Sequence, residues 1–221
     1  MSPTHQSLGG ATDDELVQRM VKTHPERFGE SFWALYATHV ASHLPARPVM
    51  IDLGCGPGLV LRDLGTRHPG ATLYGYDVTP AMIAYGRELA FASAPPTLAV
   101  HDVTTTPLPH ADGSVHLVIM SSVLHVLDEP LPVLAEIHRV LRPDGVFLLN
   151  DWIRQPLASY LAWRRERMGE DDPRKAFRLF PAHAKYTTED WRWLLGEARF
   201  TIAHEAELRD SHRIFVTRPA A

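Results

Sequence analysis

The sequence predicts an α/β fold in which a mainly parallel, seven-stranded sheet carries helices on both faces. From Pro48 onward, short apolar runs alternate with stretches of helical periodicity, which is typical of a parallel sheet. Two apolar runs then follow one another at 200–207 and 211–217, which predicts an antiparallel hairpin. At 221 residues, 45% of them hydrophobic, the chain has the length of one such domain with a sizeable core.

Two helices are predicted before the first strand. A capping box at Thr12–Glu15 opens the first helix, because the side chains at its two ends can each accept from the other's backbone N–H. Pro25 is expected to start the second helix. This second helix carries a broad aromatic stripe that includes Trp33 and Tyr36, and such a stripe indicates a buried face.

The remaining elements follow from apolar runs bounded by glycine and proline. Strands are expected at 48–53, 71–76, 97–101, 115–121 and 145–150, and helices at 58–67, 80–92, 130–141 and 188–198. Residues 151–186 interrupt the alternation of strand and helix. In open α/β sheets the ligand crevice lies beyond the carboxyl ends of the strands, so this insertion is expected to cover a substrate.

A glycine-spaced loop follows the first predicted strand. Glycines at 54, 56 and 58 remove Cβ where the backbone must turn sharply and approach a ligand closely. The helix that begins behind the loop offers unpaired N–H groups, which suit a carboxylate or a phosphate. Asp77 ends the second strand, where a carboxylate can accept from both hydroxyls of a ribose.

The order Asp52-x-Gly54-x-Gly56-x-Gly58, then Asp77, then His101-Asp102-Val103 resembles the class I S-adenosylmethionine-dependent methyltransferases. The resemblance covers residues 48–150 strongly, and the GxGxG loop departs from the GxGxxG fingerprint of dinucleotide-binding proteins. It implies a Rossmann-like single domain over residues 1–221, with S-adenosylmethionine as cofactor and residues 12–45 as an N-terminal helical lid.

The resemblance also assigns the cofactor contacts. It implies that Asp52 helps to hold the methionine end, that Asp77 binds the ribose, and that Asp102 with its neighbour meets the adenine. A lid would bring aromatic faces to the sulfonium. The full expected set is Asp52, Gly54, Cys55, Gly56, Gly58, Asp77, Val78, Asp102, Val103, Ser121, Trp33 and Tyr36.

Candidate catalytic residues stand just past the fourth and fifth strands. His125 is the best base there, because its unperturbed pKa lies near neutrality. Asn150 and Asp151 are expected either to bind a substrate ammonium or hydroxyl or to cap the following helix. Tyr186 is a further candidate from the insertion, and His183 is a weaker one for contact with an acidic substrate.

Three functions stay open at the level of sequence. The leading hypothesis is methyl transfer to a small molecule. The first alternative, which the resemblance suggests, is a cyclase or lyase that forms azetidine-2-carboxylate from the cofactor and releases methylthioadenosine. In that case Asn150 would position the amine and Tyr186 would face the sulfonium. The second alternative is a protein that binds the cofactor without turning it over.

Composition limits the partners and the compartment. A net charge of −4 argues against a general nucleic-acid footprint, and no apolar run approaches the length of a membrane span. Cys55 is the one cysteine, so a reducing cytoplasm is the expected location. His39 and His43 lack an obvious third ligand, so no metal site is expected, and the sequence leaves the oligomeric state open.

Overall fold

A computed structural model describes residues 10–169, 172–209 and 211–220 of the chain. Its helices are α1 (Asp13–Arg27), α2 (Glu30–His39), α3 (Leu59–Arg67), α4 (Pro80–Arg87), α5 (Pro130–Val140), α6 (Leu157–Met168), α7 (Pro173–His183) and α8 (Thr188–Glu197). Its strands are β1 (Val49–Leu53), β2 (Thr72–Asp77), β3 (Thr97–Val100), β4 (Val115–Ser121), β5 (Leu141–Trp152), β6 (Phe200–Arg209) and β7 (His212–Pro219). Short 3₁₀ turns lie at Ala41–His43 and Leu124–Val126.

The sheet confirms the predicted fold class. Its seven strands run in the order β3-β2-β1-β4-β5-β7-β6, and β1 to β5 are parallel. Strand β7 is inserted antiparallel between β5 and β6. The strand order therefore reverses between β1 and β4, which is where open α/β sheets bind their ligands.

Two apolar layers cover the two faces of the sheet. Neighbouring residues on β5 enter different layers, with Phe147 in one and Leu148 in the other, because successive side chains of a strand point to opposite faces. Helices α5 and α8 contribute Ile137 and Trp191 to the first layer. On the other face, α2 and α3 supply residues such as Leu61 to the second layer.

Several element boundaries differ from those expected. Pro25 does not start a helix, because it lies inside α1 and the break falls at Phe28 and Gly29. Strand β5 begins at Leu141, and a register shift beside β4 accommodates the Pro143-Asp144-Gly145 stretch that was expected to precede the strand. Helix α4 is also shorter than predicted. The expected turn at Asp210 lies outside the described residues.

The segment between β5 and α8 folds as two helices, α6 and α7, over the carboxyl end of β5. Trp152 at the end of β5 packs with Tyr160 of α6 and Ala176 of α7 in a small apolar cluster. Helix α1 reaches the same end of the sheet and packs on α4 through Leu16 and Met82. Among the described residues, no helix combines the length and apolar character needed to cross a membrane.

Candidate active site

A glycine-rich loop joins β1 to α3 at the carboxyl edge of the sheet. Gly54, Gly56 and Gly58 have φ angles of 77°, 52° and 76°, a region that residues with a Cβ rarely adopt. The loop is held against β2, because the N–H groups of Gly54 and Cys55 both donate to the Tyr76 carbonyl, at 2.7 and 3.0 Å. A Cβ on Gly54 would lie 2.3 Å from Val123 Cγ2, so this position has no room for a side chain.

A cavity of about 420 Å³ opens beside this loop, within the size range of small-molecule sites. Helix α1 forms one wall, and α6, α7 and the β6–β7 end form the far side. Nine of the predicted cofactor residues line it: Asp52, Gly54, Cys55, Gly56, Asp77, Val78, Asp102, Val103 and Ser121. Gly58 instead forms the N-cap of α3.

Asp77 is the last residue of β2, and Asp102 follows the end of the neighbouring strand β3. Both positions agree with those expected from the sequence. The two carboxylate oxygens of Asp77 accept from the N–H groups of Gly56 and Thr79, at 2.8 and 2.9 Å. Burial raises the pKa of Asp77 above its usual value. Each carboxylate oxygen has two acceptor sites, so Asp77 is held rigidly and still has acceptor capacity toward the cavity.

Asp52 is a buried carboxylate that lines the cavity with only 3% of its surface exposed. Burial and the nearby Asp77 raise its pKa to about 7, and Arg27 opposes that rise. Among the described residues no hydrogen bond reaches its carboxylate. A buried acid in this state is stabilised by an incoming cation, so the ammonium end of S-adenosylmethionine fits this position.

The far end of the cavity carries a histidine that the sequence analysis missed. His212 is 3% exposed and lines the cavity. Its Nε2 lies 3.2 Å from the Ser122 hydroxyl and its Nδ1 lies 2.9 Å from the Ser211 hydroxyl. Burial, together with Arg209 and Arg27, holds the pKa of His212 well below its usual value. The imidazole is therefore neutral at pH 7.

Ser122 is held in an unusual backbone conformation directly after β4. Its φ of 58° is uncommon for a residue with a Cβ and is often found at functional sites. Its N–H donates to the Asn150 carbonyl at 2.8 Å. This contact holds the backbone from which the Ser122 hydroxyl reaches His212, and both residues line the cavity.

The predicted base His125 is paired with the predicted substrate contact Asp151. His125 Nδ1 lies 2.6 Å from Asp151 Oδ1, and the two side chains are 1% and 0% exposed. The same Asp151 oxygen accepts from the Trp152 N–H at 2.7 Å. Neither residue lines the cavity. The structure therefore places the pair behind the residues that line the cavity, and its contact with a substrate stays a prediction.

The other two catalytic candidates also lie outside the cavity. Asn150 is 1% exposed, and its amide donates to the Ser121 hydroxyl at 3.1 Å. Tyr186 packs against Trp191 at a ring-centre distance of 4.7 Å. Their catalytic roles stay predictions, as do the two contacts that the azetidine-forming alternative assigns to them.

Trp33 and Tyr36 are the predicted cofactor contacts that the structure places elsewhere. Tyr36 is 1% exposed, and its hydroxyl lies 2.8 Å from His68 Nε2. Trp33 packs beneath the Arg67 guanidinium, 3.7 Å from its ring centre. Both belong to the layer between α2 and the sheet. Of the two N-terminal helices, α1 lines the cavity and α2 does not.

Comparison with known proteins agrees with this geometry. Residues 51–149 match a protein family described as a methyltransferase domain. The malonyl-[acyl-carrier protein] O-methyltransferase of Hahella chejuensis is 37% identical over 155 residues, which are 69% of this chain and 53% of that protein. The chain therefore spans about half the length of this curated relative.

Solved structures share the fold at low sequence identity. A SAM dependent methyltransferase from Aquifex aeolicus superposes with a TM-score of 0.68 and 18% identity, over 94% of this chain and 98% of that one. The [4+2]-cyclase SpnF superposes with a TM-score of 0.71 and 15% identity, over 100% and 98%. The matched region spans the loop, both sheet-end acids, β4 and most of β5, and together with the curated relative and the shared fold it supports a class I S-adenosylmethionine-dependent methyltransferase domain with S-adenosylmethionine as cofactor.

Proposed function

We propose that this protein transfers the methyl group of S-adenosylmethionine to a small-molecule acceptor. The observation that carries the proposal is one cavity that is lined by two chemically different sets of residues. The first set includes Asp52 and Asp77 beside the glycine loop, and the second includes Ser122 and His212. A cofactor held by the first set would leave the second set to contact another molecule.

The acids of the cofactor end have separate roles in this proposal. Asp52 would receive the ammonium of the methionine part, since its carboxylate is buried and no hydrogen bond from the described residues reaches it. Asp77 would accept from the ribose hydroxyls, with its orientation fixed by the N–H groups of Gly56 and Thr79. Asp102 is set in a turn by Thr104, whose hydroxyl donates to it at 2.6 Å, and would lie nearest the adenine.

The cofactor supplies a methyl group on a sulfonium, and the acceptor atom displaces the neutral thioether as the new bond to carbon forms. The protein has to align the acceptor and exclude water. Trp152 and Trp163 give the far end of the cavity aromatic walls. Where the acceptor atom carries a proton, the neutral imidazole of His212 is in the protonation state that can take it.

The names of similar proteins support a small acceptor without identifying it. The Hahella relative is named for O-methylation of malonyl-[acyl-carrier protein], and the fold neighbour SpnF is named as a [4+2]-cyclase. The described site offers no feature that favours azetidine formation over methyl transfer. The net charge of −4 supports neither a nucleic-acid nor a membrane partner, and the cytoplasmic location stays a prediction.

The test is mass-resolved analysis of products after incubation with S-adenosylmethionine, first alone and then with a panel of small hydroxy, amino and carboxylic acids. Formation of S-adenosylhomocysteine together with a methylated acceptor is the expected result. Enzyme-dependent methylthioadenosine without an acceptor would replace the proposal with the cyclase or lyase. Bound but unchanged cofactor across the whole panel would favour the non-catalytic binder.

A variant of His212 tests the assignment of the acceptor end. For an acceptor that loses a proton, we expect His212→Gln to lower kcat by about 10²-fold or more while the affinity for S-adenosylhomocysteine stays unchanged. His43→Gln, at an exposed position far from the cavity, is the matched control. An unchanged kcat in His212→Gln would remove this residue from the reaction.

A further inference from the structure

Two arginines from distant parts of the sequence meet at one end of the cavity. Arg27 is the last residue of α1 and Arg209 is the last residue of β6. Both are half-buried and both line the cavity. Arg209 pairs with His212 across the β6–β7 hairpin, and the charges of both arginines act on that histidine and lower its pKa.

Neither guanidinium forms an ion pair within the part of the chain that the structure describes. Arg27 donates from Nη1 to the thioether of Met20 at 3.0 Å, and its guanidinium carbon lies 5.4 Å from the centre of the Phe28 ring. Other arginines of the chain are paired; Arg213, for example, lies 3.0 Å from the Glu205 carboxylate. Arg27 and Arg209 therefore keep most of their donors for another partner.

The positive charges of Arg27 and Arg209 also favour binding of an anion. Burial and the charge of Arg209 lower the pKa of Arg27 to about 10, although Asp52 and Asp151 oppose the shift. Burial lowers the pKa of Arg209 as well, with Glu26 in opposition. Both groups still carry their charge at pH 7. Two half-buried like charges repel one another, and an anion bound between them would relieve that repulsion.

We propose that Arg27 and Arg209 form a carboxylate-binding site in the cavity. A guanidinium fork matches a carboxylate through two parallel hydrogen bonds, and two forks can hold one carboxylate or two neighbouring ones. The inference rests on the proposed function, because it places the site within the cavity where cofactor and acceptor would meet.

Two sources of the carboxylate fit this position. One is the amino-acid end of the cofactor, because the charge of Asp52, the residue assigned to the ammonium of that same amino acid, acts on Arg27. The other is an acidic acceptor, because Arg209 pairs across the β6–β7 hairpin with His212, the residue proposed to act on the acceptor. The chemistry is the same, and binding experiments separate the sources.

The first arm uses titration calorimetry with two cofactor products. S-adenosylhomocysteine carries the amino-acid carboxylate, and 5′-methylthioadenosine lacks it. If the site holds the cofactor carboxylate, Arg27→Gln and Arg209→Gln weaken binding of S-adenosylhomocysteine by about 10- to 100-fold. Both variants keep their affinity for methylthioadenosine, which also shows that they are folded. Arg142→Gln, at an exposed arginine paired with Asp144, is the control and changes neither affinity.

The second arm tests an acidic acceptor with acetate and malonate as probes. Protein saturated with S-adenosylhomocysteine is titrated with each probe, and the melting temperature is followed. If the site holds an acceptor carboxylate, the wild type is stabilised in a concentration-dependent manner and the two glutamine variants are not. Arg27→Lys and Arg209→Lys retain part of the effect, because they keep the charge without the fork.

The outcomes are separable from a failure of the proposed function. A wild type that binds neither nucleoside would contradict the cofactor site itself. Two results together would overturn the arginine site alone. The first is that both glutamine variants bind S-adenosylhomocysteine as tightly as the wild type does. The second is that acetate and malonate stabilise the wild type no more than they stabilise these variants. If a glutamine variant loses methylthioadenosine binding through misfolding, the lysine variants decide by the same two comparisons.

Discussion

Gly54 is the residue of the cofactor loop that tolerates a side chain least. Both its φ of 77° and the 2.3 Å approach of a Cβ to Val123 Cγ2 oppose substitution. Gly113 has a similar φ of 61°, but a Cβ there would meet nothing within 4 Å. Alanine substitutions at the two positions therefore separate the cost of backbone strain from the cost of a steric collision.

We predict that Gly54→Ala lowers the free energy of unfolding by about 2–4 kcal/mol, the sum of strain and overpacking. Gly113→Ala, the matched control, should lose only about 1–2 kcal/mol from strain. Urea unfolding measures both. The double variant Gly54→Ala with Val123→Ala should recover the collision component. Equal losses of unfolding free energy in the two single variants would show that the Val123 side chain moves aside without an energetic cost.

The ionised carboxylate of Asp52 lowers the folding stability of the cofactor-free protein, and the same charge is available to bind the cofactor. Its folded-state pKa of about 7 lies above the usual 3.8, so the folded protein without cofactor holds a proton that the unfolded chain has lost. Its contribution to stability is complete below about pH 4 and is lost as pH rises through 7. We predict that Asp52→Asn raises the melting temperature of the cofactor-free protein more at pH 8 than at pH 5. A difference that does not depend on pH would contradict the raised pKa.

The same residue should make cofactor binding depend on pH in the opposite direction. An ammonium beside Asp52 favours the ionised carboxylate and lowers its pKa in the complex, so binding near pH 6 releases a proton. We predict that the affinity for S-adenosylhomocysteine rises between about pH 5.5 and 7.5. Calorimetry in two buffers of different ionisation enthalpy measures the released proton. The Asp52→Asn protein should bind more weakly and without this slope; proton uptake by the wild type would contradict the assignment.

Single residues could be predicted where a local motif dictated them. The loop glycines, Asp77 and Asp102 were found because their spacing along the chain is the signal. His212, Arg27 and Arg209 were missed because no spacing connects them, and only the packing of α1 and the β6–β7 hairpin brings them together. A partial signal existed for His212, since the first residue of an antiparallel β7 lies at the carboxyl edge of its parallel neighbours.

At the scale of elements, α1 is attached to the rest of the site through a small apolar cluster. It packs on α4 through a cluster whose buried members are Leu16, Val17 and Met82, whereas α5 is buried in the large layer with residues such as Leu134. Helices with few buried apolar contacts open locally before the rest of a protein unfolds. The structure thus gives a physical basis for a lid, with α1 as the element that opens.

We predict that backbone amides of residues 13–27 exchange faster than those of α5 in the free protein, and that S-adenosylhomocysteine slows them. Hydrogen exchange with mass spectrometry gives both values. Leu16→Ala should speed exchange in α1 because it removes an anchor, while Leu131→Ala, at a more exposed position of α5, should leave α1 unchanged. Equal protection of α1 and α5 without ligand would show that α1 is fixed packing.

The elements were predicted better than their roles. The apolar runs located the seven strands. Central strands such as β4 and β5 are buried on both faces and therefore read as nearly continuous hydrophobic stretches, whereas the edge strand β6 is mostly half-buried. The aromatic stripe of α2 was correctly seen as a buried face, but the pattern cannot say what buries it. In the structure this face of α2, which includes Tyr36, is buried against the sheet. The less aromatic α1 lines the cavity.

At the scale of the whole molecule, the antiparallel insertion of β7 completes the site. In a fully parallel sheet, the edge beyond β5 would carry only the carboxyl ends of strands. Because β7 runs the other way, its first residue His212 pairs with Trp152 at that same edge. The β6–β7 hairpin also brings Arg209 there. One topological feature therefore supplies both the neutral imidazole and one of the two arginines.

The cavity couples cofactor binding to global stability, since a ligand that binds only the folded state stabilises it. At a concentration of S-adenosylhomocysteine 100 times its dissociation constant, the gain is about 2.7 kcal/mol, or a rise in melting temperature of about 5–10 °C for a chain of this size. We predict that Asp77→Ala abolishes this rise, because the ribose loses its acceptor.

Asp77→Ala should also lower the melting temperature without ligand, because the N–H groups of Gly56 and Thr79 lose their acceptor, at a cost of about 1–3 kcal/mol. Asp112→Ala removes an exposed carboxylate that pairs with Arg139 and is the control, with a cost below about 1 kcal/mol and a full response to ligand. Thermal unfolding of the three proteins, with and without S-adenosylhomocysteine, measures both effects. A full ligand response in Asp77→Ala would move the ribose away from the end of β2, and with it the position of every other group proposed along the cavity.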